Sequence, residues 1–397
     1  MRAAFVLAAS AFLITMIGTT LPTPLYPMYE QQFAVAPVLI PVVFAVYAVA
    51  VVAGLLFFGR LSDEIGRRGV LLCGLTLSGA SAVVFLLAHS IVPLLLGRVL
   101  SGLSAGIFTG TATALLVELA PNEKRRFAAT IAVAANTGGL GLGTLLSGTL
   151  ATSMPAAALR LPYAVDIVLV LIGIVAVLGV PETVANPTGA IALRVTRLNV
   201  PPEIRGTFWR AAVAGMCAFA VSGVFSAVVP SFFARVLHRP EAILTGSVVF
   251  VLFLATALGQ ASIGRISPAR TLGVACAALI AGTAVLALAV TAKSAAWTFV
   301  AAAVEGSGQG LAIGSGLAAI NEQTQERRGE LSSTYFVMLY AALALPVVGV
   351  GLLAAAWGLA PAALVFCIAV AAIVAIVWAA TYFASRTLRS HEASSMK

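Results

Sequence analysis

The sequence predicts an all-α membrane protein whose twelve transmembrane helices form two pseudo-symmetric six-helix bundles. Three observations predict this fold class: the composition, the spacing of apolar segments and a repeat between the two halves of the chain. The chain has 397 residues, of which 61% are hydrophobic and 9% are charged, and its mean hydropathy is +1.06. A soluble domain carries roughly 25% charged residues, so this composition argues against a soluble enzyme or a nucleic-acid-binding module despite the net charge of +9.

The apolar segments have the length that a membrane-spanning helix requires. A bilayer core needs roughly 20 apolar residues per helix, and windows of about that length predict twelve spans. The predicted spans are Ala4 to Leu25, Pro37 to Phe58, Gly69 to Leu87, Ile91 to Leu116, Ala128 to Leu150, Leu161 to Val180, Ala211 to Phe233, Ile243 to Ile263, Thr271 to Thr291, Ala296 to Ile320, Leu331 to Leu353 and Pro361 to Phe383.

The longest polar stretch divides the spans into two sets of six. It runs from Pro181 to Trp209 and contains four prolines. We therefore expect an N-terminal six-helix bundle over residues 1–180, a cytoplasmic linker over 181–209, a C-terminal six-helix bundle over 210–385 and a cytoplasmic tail over 386–397.

The basic residues predict the orientation. With both termini on one side, eighteen of the Lys and Arg residues lie in the segments on that side, and four lie on the other: Arg160, Arg235, Arg239 and Lys293. Basic residues in short loops favour the cytoplasmic side. The expected location is a bacterial inner (plasma) membrane, as a multi-pass protein with both termini cytoplasmic.

The two halves repeat at a fixed offset. Gly102, Gly106 and Gly110 in the fourth span recur 204 residues later as Gly306, Gly310 and Gly314 in the tenth. A shared offset predicts a duplicated six-helix unit whose copies are related by an axis along the membrane normal, as in parallel transporter repeats.

The loop Gly59-Arg-Leu-Ser-Asp-Glu-Ile-Gly-Arg-Arg68 resembles the motif between helices two and three of the major facilitator superfamily. Arg98-Val-Leu-Ser-Gly102, Glu118-Leu-Ala-Pro121 and Pro181-Glu-Thr183 support the resemblance. The stretch Gly143-Thr-Leu-Leu-Ser-Gly148 is similar to the signature of the drug:proton antiporters in this family, although it departs from that signature at Thr144 and Ser147.

The resemblance implies that the charged loop is a cytoplasmic latch between the two halves. Asp63 can accept hydrogen bonds at a neighbouring helix start, where the dipole favours negative charge, and Arg67 and Arg68 can pair with Glu118 or with helix-end carbonyls. Gly59 and Gly66 would permit tight turning. The alternative is that the arginines only satisfy the positive-inside rule. The predicted gating residues are Gly59, Asp63, Gly66, Arg67, Arg68 and Glu118.

Three ionisable residues inside predicted spans are candidates for proton coupling. Intramembrane ionisable residues are functional candidates by default, and the resemblance implicates an arginine at the position of Arg98 in proton transfer; the alternative is a structural arginine that binds backbone carbonyls. Glu305 is the deepest acid, and its alternatives are an ion pair with an arginine or a contact with substrate. Asp166 lies nearer the outer face, where a structural role competes with coupling.

The resemblance also places a substrate cavity between the halves, lined by spans one, four, seven and ten. Its predicted lining is mostly apolar, which suits an amphipathic organic molecule better than a sugar. Threonine and serine side chains can instead bond their own helix backbone. The predicted cavity residues are Thr19, Thr20, Phe219, Ser222 and Gln309.

These features predict a secondary transporter that works by alternating access, with proton-coupled efflux of amphipathic small molecules as the leading hypothesis. Proton-coupled uptake of a small metabolite is the alternative, and an intramembrane enzyme or receptor is a remote one. The sequence lacks a Gly-x-x-x-x-Gly-Lys loop for ATP, and its three histidines lack metal-ligand spacing. The expected partners are a small-molecule substrate, protons and the lipid bilayer, without metal, cofactor or nucleic acid, and a monomer is compatible with the sequence.

Overall fold

The computed structural model describes residues 2–58, 61–184, 200–321 and 325–395. The helices of the first half are α1 Arg2–Thr20, α2 Tyr26–Gln32, α3 Leu39–Phe58, α4 Leu61–Ile65, α5 Arg67–Leu86, α6 Ile91–Leu119, α7 Arg125–Ser153 and α8 Leu161–Leu178. Those of the second half are α9 Arg205–Ala227, α10 Val229–Arg235, α11 Ala242–Ala261, α12 Pro268–Thr291, α13 Ala295–Asn321, α14 Gln325–Trp357 and α15 Leu359–Ser395.

Eleven helical segments in the described part of the chain are long and apolar enough to cross a membrane. The position of the predicted tenth span is filled by α13, which is not among the eleven. Among its apolar residues, α13 contains Glu305, Gln309 and several glycines. The predicted fold class, an all-helical multi-pass membrane protein, is confirmed.

Two predicted spans are interrupted, and the last helix runs beyond its predicted end. The first span is interrupted after Thr20, because Pro22 has no backbone N–H to continue the helix, and the chain resumes as α2 after a short 3₁₀ turn. The seventh span is interrupted in the same way between α9 and α10, before Pro230. The last helix continues to Ser395, since no proline or glycine ends it, so the predicted tail is helical through that residue. Of the predicted linker, residues 185–199 lie outside the described residues.

Each half has a row of glycines at an equivalent position, which we call a glycine seam. It consists of Gly102, Gly106 and Gly110 in α6, and of Gly306, Gly310 and Gly314 in α13. The seam of α6 faces α3, where a Cβ added to Gly106 would lie 2.6 Å from the Val51 carbonyl oxygen. The seam of α13 faces α11, where a Cβ added to Gly306 would overlap the Leu252 carbonyl oxygen. Small residues of this kind let helix backbones approach closely in membranes.

The ends of the helices define two faces. The basic face carries the starts of α1, α5, α7 and α9, and the far face carries the turns at residues 33–38 and 236–241. The two halves meet where α7 packs on α11 and where α3 packs on α14. Near the far face, the Thr144 hydroxyl donates to the Gly246 carbonyl at 3.1 Å and the Ile243 N–H donates to the Thr152 hydroxyl at 3.1 Å.

The buried apolar residues form three clusters. The shared cluster contains residues of both halves, and its first-half members come from helix ends at the far face, such as Leu25, Tyr29 and Ile40. Toward the basic face, one separate cluster belongs to the first half and another, around Tyr335, belongs to the second. The halves are therefore packed together at the far face and have separate cores toward the basic face.

Candidate functional site

Arg98 is buried in α6, with 1% of its surface exposed. One terminal nitrogen, Nη1, donates to the backbone carbonyl of Thr19 at 2.8 Å, and Nη2 donates to the Tyr26 hydroxyl. The guanidinium also lies 5.4 Å from the ring centroids of both Tyr26 and Tyr47. Among the described residues no acid forms an ion pair with Arg98, and its Nε has no hydrogen-bond partner there.

The break after α1 explains why Arg98 is held at this point. The last four carbonyls of a helix have no partner within the helix, and the C-terminal end of the helix dipole is negative. Thr19 is the penultimate residue of α1, so its carbonyl is one of these acceptors. A guanidinium at this end supplies both a donor and a positive charge. This is the geometry of an arginine that binds a backbone carbonyl.

Asp166, in α8, packs against the same turn of α1. Its side chain is 2% exposed, and a Cβ added to Gly18 would lie 2.8 Å from its Oδ2 atom. Its Oδ1 atom has no hydrogen-bond partner among the described residues. The carboxyl of Asp166 and the guanidinium of Arg98 therefore contact neighbouring residues of α1, Gly18 and Thr19.

Glu305, in α13, lies inside the second bundle and not beside Arg98. It is 1% exposed, and its Oε1 atom accepts a hydrogen bond from the Thr283 hydroxyl at 2.6 Å. Its Oε2 atom has no partner among the described residues. A Cβ added to Gly282 would lie 2.6 Å from the Cγ of Glu305, so the glycine provides the space for this side chain.

Two buried cysteines lie near Glu305. They are Cys217 of α9 and Cys367 of α15. Among the described residues, no group of three or more Cys, His, Asp or Glu side chains could hold a metal ion. The ion pairs found among the described residues include none to Glu305.

Four of the five predicted cavity residues form hydrogen bonds inside the bundles. Thr19 and Thr20 are buried and bond to backbone carbonyls, Thr19 to Met16 at 2.8 Å and Thr20 to Leu140 at 2.6 Å. Gln309 accepts hydrogen bonds through Oε1 from Ser222 at 2.8 Å and from Thr256 at 3.0 Å, and therefore joins three helices of the second bundle.

Phe219 is half-buried and has an aromatic partner that the sequence did not identify. Its ring lies 5.6 Å from that of Tyr340 in α14, at an interplanar angle of 76°. Tyr340 also packs against the cluster of the first half. The pair therefore lies at the junction between the halves, where an apolar molecule could contact it.

The contacts found for the described residues of the charged loop lie within the first half. Arg67 binds Glu118 through Nη2 at 2.8 Å and through Nε at 3.3 Å, and binds Asp63 through Nη1 at 2.6 Å. The predicted pairing of Arg67 with Glu118 is therefore present. Asp63 pairs with Arg67; no hydrogen bond from a helix start to its carboxylate is found among the described residues, and Gly59 lies outside them.

Glu182 caps the start of α5, next to the charged loop. It follows α8 and accepts the first N–H groups of α5, from Arg67 at 2.8 Å and from Arg68 at 3.0 Å. The N–H groups of Thr183 and Val184 also donate to it, at 3.0 Å and 3.1 Å. Partial burial acts to raise the pKa of the Glu182 carboxyl, but the four N–H donors outweigh it and lower that pKa.

Gly66 makes this capping possible. Its φ of +100° is rare for residues other than glycine, and a Cβ added there would lie 2.9 Å from the carboxyl carbon of Glu182. The only sequence signal for Glu182 was its place in the Pro181-Glu-Thr183 stretch, which gave no indication of its partner.

Comparisons with known proteins agree with this arrangement. The profile described as Major Facilitator Superfamily matches residues 8–346. Quinolone resistance protein NorA of Staphylococcus aureus is 29% identical over 121 residues, which cover 30% of this chain and 31% of NorA. An uncharacterized MFS-type transporter of Methanocaldococcus jannaschii is 26% identical over 137 residues, which cover 34% of this chain and 36% of that protein. Each match thus spans well under two thirds of the relative's length.

A solved structure shows the same fold along nearly the whole chain. It is a crystal structure of a bacterial homolog to the human lysosomal transporter Spinster, in an inward-facing and occupied conformation. The two structures agree with a TM-score of 0.70 at 16% sequence identity, over 96% of each chain. The profile match covers most of the residues that form the two bundles and their buried charges, and the chain belongs to the major facilitator superfamily.

Proposed function

We propose that this transporter exports amphipathic small molecules in exchange for protons. Membership of the superfamily makes the chain a secondary transporter and not an enzyme, so the proposal concerns the coupling ion, the cargo and the direction. The observation that carries it is the carboxyl of Glu305, which is buried in α13 with one oxygen left without a partner among the described residues.

A buried carboxyl without a cationic partner is more stable when protonated, because burial penalises the charged form. The protonated form could donate from Oε2, and Thr283 already donates to Oε1. Release of the proton requires that water or cationic cargo reach the carboxylate. A change of access between the two faces would therefore change its proton occupancy, which is the requirement for coupling.

Arg98 and Asp166 would have a supporting part in the first half. Asp166 contacts Gly18, and Arg98 holds the Thr19 carbonyl. Protonation or deprotonation of Asp166 would thus act on the turn of α1 that Arg98 anchors. This assigns Arg98 the role of a fixed charge that positions α1 and does not itself carry the proton.

The cargo is inferred from the aromatic pair and from one relative. Phe219 and Tyr340 offer a half-buried apolar surface between the halves, and pockets that bind organic ligands are mostly lined by such groups. NorA is named for quinolone resistance, so a fluorescent quinolone is a suitable probe. Uptake of a small metabolite is the second candidate, favoured by the departures at Thr144 and Ser147 from the antiporter signature.

The proposal is tested by transport in reconstituted vesicles with an imposed pH gradient. Addition of the quinolone should release protons from vesicles containing wild-type protein, and Glu305→Gln should abolish this release because the amide cannot titrate. Glu241→Gln is the matched control, since Glu241 lies in a far-face loop and pairs with Arg239. Unchanged proton release by Glu305→Gln would show that Glu305 is not the coupling site.

The direction of transport is tested separately, in cells that take up the same quinolone. Expression of an exporter should lower its steady-state accumulation, and collapse of the proton gradient should restore it. Faster loading of the cells on expression would favour the uptake alternative. The same cells provide the test of membrane location and of cytoplasmic termini, through the accessibility of tags at the two chain ends.

A further inference from the structure

Two short helices lie side by side at the far face, one from each half. The first, α2, follows the break in α1, and the second, α10, follows the break after α9. They pack against each other. Because each continues the first helix of its half, the pair stands at corresponding positions of the repeated unit.

An ion pair joins these two helices. The carboxylate of Glu30 in α2 binds the guanidinium of Arg235 in α10, and the side chains are 15% and 43% exposed. Among the ion pairs of the described residues, this is the one that connects the two halves; those of Arg67 lie within the first half, and that of Arg239 lies within one loop.

The first-half side of this ion pair is anchored in the protein interior. Tyr26 lies four residues before Glu30 in α2, and residues four apart share one face of a helix. Its hydroxyl accepts a hydrogen bond from Arg98. Tyr29 of the same helix donates to the Tyr163 hydroxyl at 2.9 Å. These contacts hold α2 to the first bundle while Glu30 reaches the second.

We infer that Glu30 and Arg235 form a latch that holds the far face closed, and that Tyr26 is a positioning residue that ties this latch to Arg98. Opening of the far face separates α2 from α10 and breaks the ion pair. Any movement of α2 in that step also displaces the Tyr26 hydroxyl from Arg98. The hydrogen bond between Arg98 and Tyr26 therefore depends on whether the far face is closed. The inference depends on alternating access but on neither the cargo nor the coupling ion proposed above.

The latch is expected to be weak enough to open in each cycle. Half-exposed ion pairs contribute roughly 0.2–1 kcal/mol, which corresponds to about a two- to five-fold change in the ratio of closed to open molecules at the upper part of that range. The apolar packing of the shared cluster contributes the rest of the free energy that favours the closed far face. Removal of either charge should therefore shift the population without unfolding the protein.

The first experiment uses a reversible cross-link in a Cys73→Ser background, since Cys73 is the exposed cysteine of the chain. Glu30→Cys with Arg235→Cys should be joined by a bifunctional methanethiosulfonate reagent, whose spacer bridges the gap left by the two longer side chains. The cross-link should block transport of a cargo that the uncross-linked variant carries, and reduction should restore it. Each single cysteine variant, treated identically, controls for the reagent. Full transport by the cross-linked protein would overturn the latch.

The second experiment measures the population directly and needs neither substrate nor a pH gradient. Ser226 is 5% exposed and lies near the far end of α9, so a Ser226→Cys reporter should react with a membrane-impermeant thiol reagent only when the far face opens. Glu30→Gln or Arg235→Gln should raise this rate about two- to five-fold. The exchange of charges, Glu30→Arg with Arg235→Glu, should restore the wild-type rate, and Arg239→Gln should leave it unchanged.

Tyr26→Phe separates the latch from its connection to Arg98. This change removes the hydroxyl and keeps the ring, so the Glu30–Arg235 pair remains. The reporter rate should rise as it does for Glu30→Gln, and the two changes combined should have less than the product of their single effects, because both act through α2. An unchanged rate in Tyr26→Phe would overturn the connection to Arg98, and unchanged rates in the charge variants would overturn the latch.

Discussion

The capping of α5 by Glu182 gives the most direct test of how the charged loop is built. Glu182 accepts two N–H groups of α5 across 115 and 114 residues of sequence, which satisfies donors that the helix itself leaves unpaired. Glu182→Ala removes these acceptors and leaves the remaining loop contacts of Arg67 in place. The perturbation therefore isolates the contribution of one carboxylate at a helix start.

The expected loss of stability is about 1 kcal/mol. Replacement of a capping side chain by alanine usually costs ~0.5–2 kcal/mol, and the middle of that range is appropriate because an exposed carboxylate is screened by water. Glu182→Gln keeps one acceptor oxygen but loses the charge, so its loss should be about half as large. Gly66→Ala should cost about 1–3 kcal/mol, because a φ of 100° with a ψ of 150° is a backbone conformation that essentially only glycine adopts.

The dependence on pH follows from the direction of the pKa shift. The pKa of Glu182 is lowered in the folded protein from its ordinary value of 4.5, so its stabilising contribution is present above 4.5 and is lost as the pH falls through the lowered value. The difference between wild type and Glu182→Ala should be full near neutral pH. It should decrease in acid, where both proteins carry an uncharged side chain at this position.

The assay is thermal or denaturant unfolding of purified protein in detergent, compared at neutral and acidic pH. Glu123→Ala is the matched control, because Glu123 is exposed in the neighbouring turn and no capping bond to it is described. Equal stability of wild type and Glu182→Ala at neutral pH would refute the capping argument. A difference that persists unchanged in acid would refute its electrostatic part.

Three further predictions concern the interior. Arg98→Lys keeps the charge but loses the fork that reaches Thr19 and Tyr26 together, so transport of the quinolone should fall more than about ten-fold, a change of ~1.4 kcal/mol; transport at the wild-type rate would contradict this. Gln309→Leu leaves the buried Ser222 hydroxyl without its acceptor, whereas Thr256 keeps the Leu252 carbonyl, and the change should lower the stability by roughly 1–3 kcal/mol, measured by unfolding, with Gln309→Glu as a variant that keeps an acceptor. Phe219→Ala should raise the KM for an amphipathic cargo, whereas Phe219→Tyr should not; equal KM values would remove the aromatic pair from the cargo site.

The sequence identified the helices and the charged side chains but not most of their partners. Hydropathy identified the spans because bilayer thickness fixes their length, and the repeat of glycines predicted equivalent seams. By contrast, Glu182 is far in sequence from α5, and Thr283 is one of many threonines that could have faced Glu305. Such pairings depend on how helices rotate and slide against each other. The sequence contained the break after α1 as a cluster of prolines, but not its consequence, a free carbonyl for Arg98.

The buried charged residues make different contacts in the two halves, and we infer that the halves have different roles in transport. In the first half, Arg98 and Asp166 both contact the last turns of α1, and through Tyr26 the same arginine reaches α2 and the far face. In the second half, Glu305 accepts a hydrogen bond from Thr283 of α12 and lies near the buried Cys217. A proton bound to Glu305 changes the charge of the second bundle, while the fixed charge of Arg98 keeps the first bundle's end of the latch in position. Coupling then requires only that the second bundle prefer one orientation when Glu305 is neutral and the other when it is charged, so Glu305→Gln should favour one orientation permanently, and the Ser226→Cys reporter should record which one.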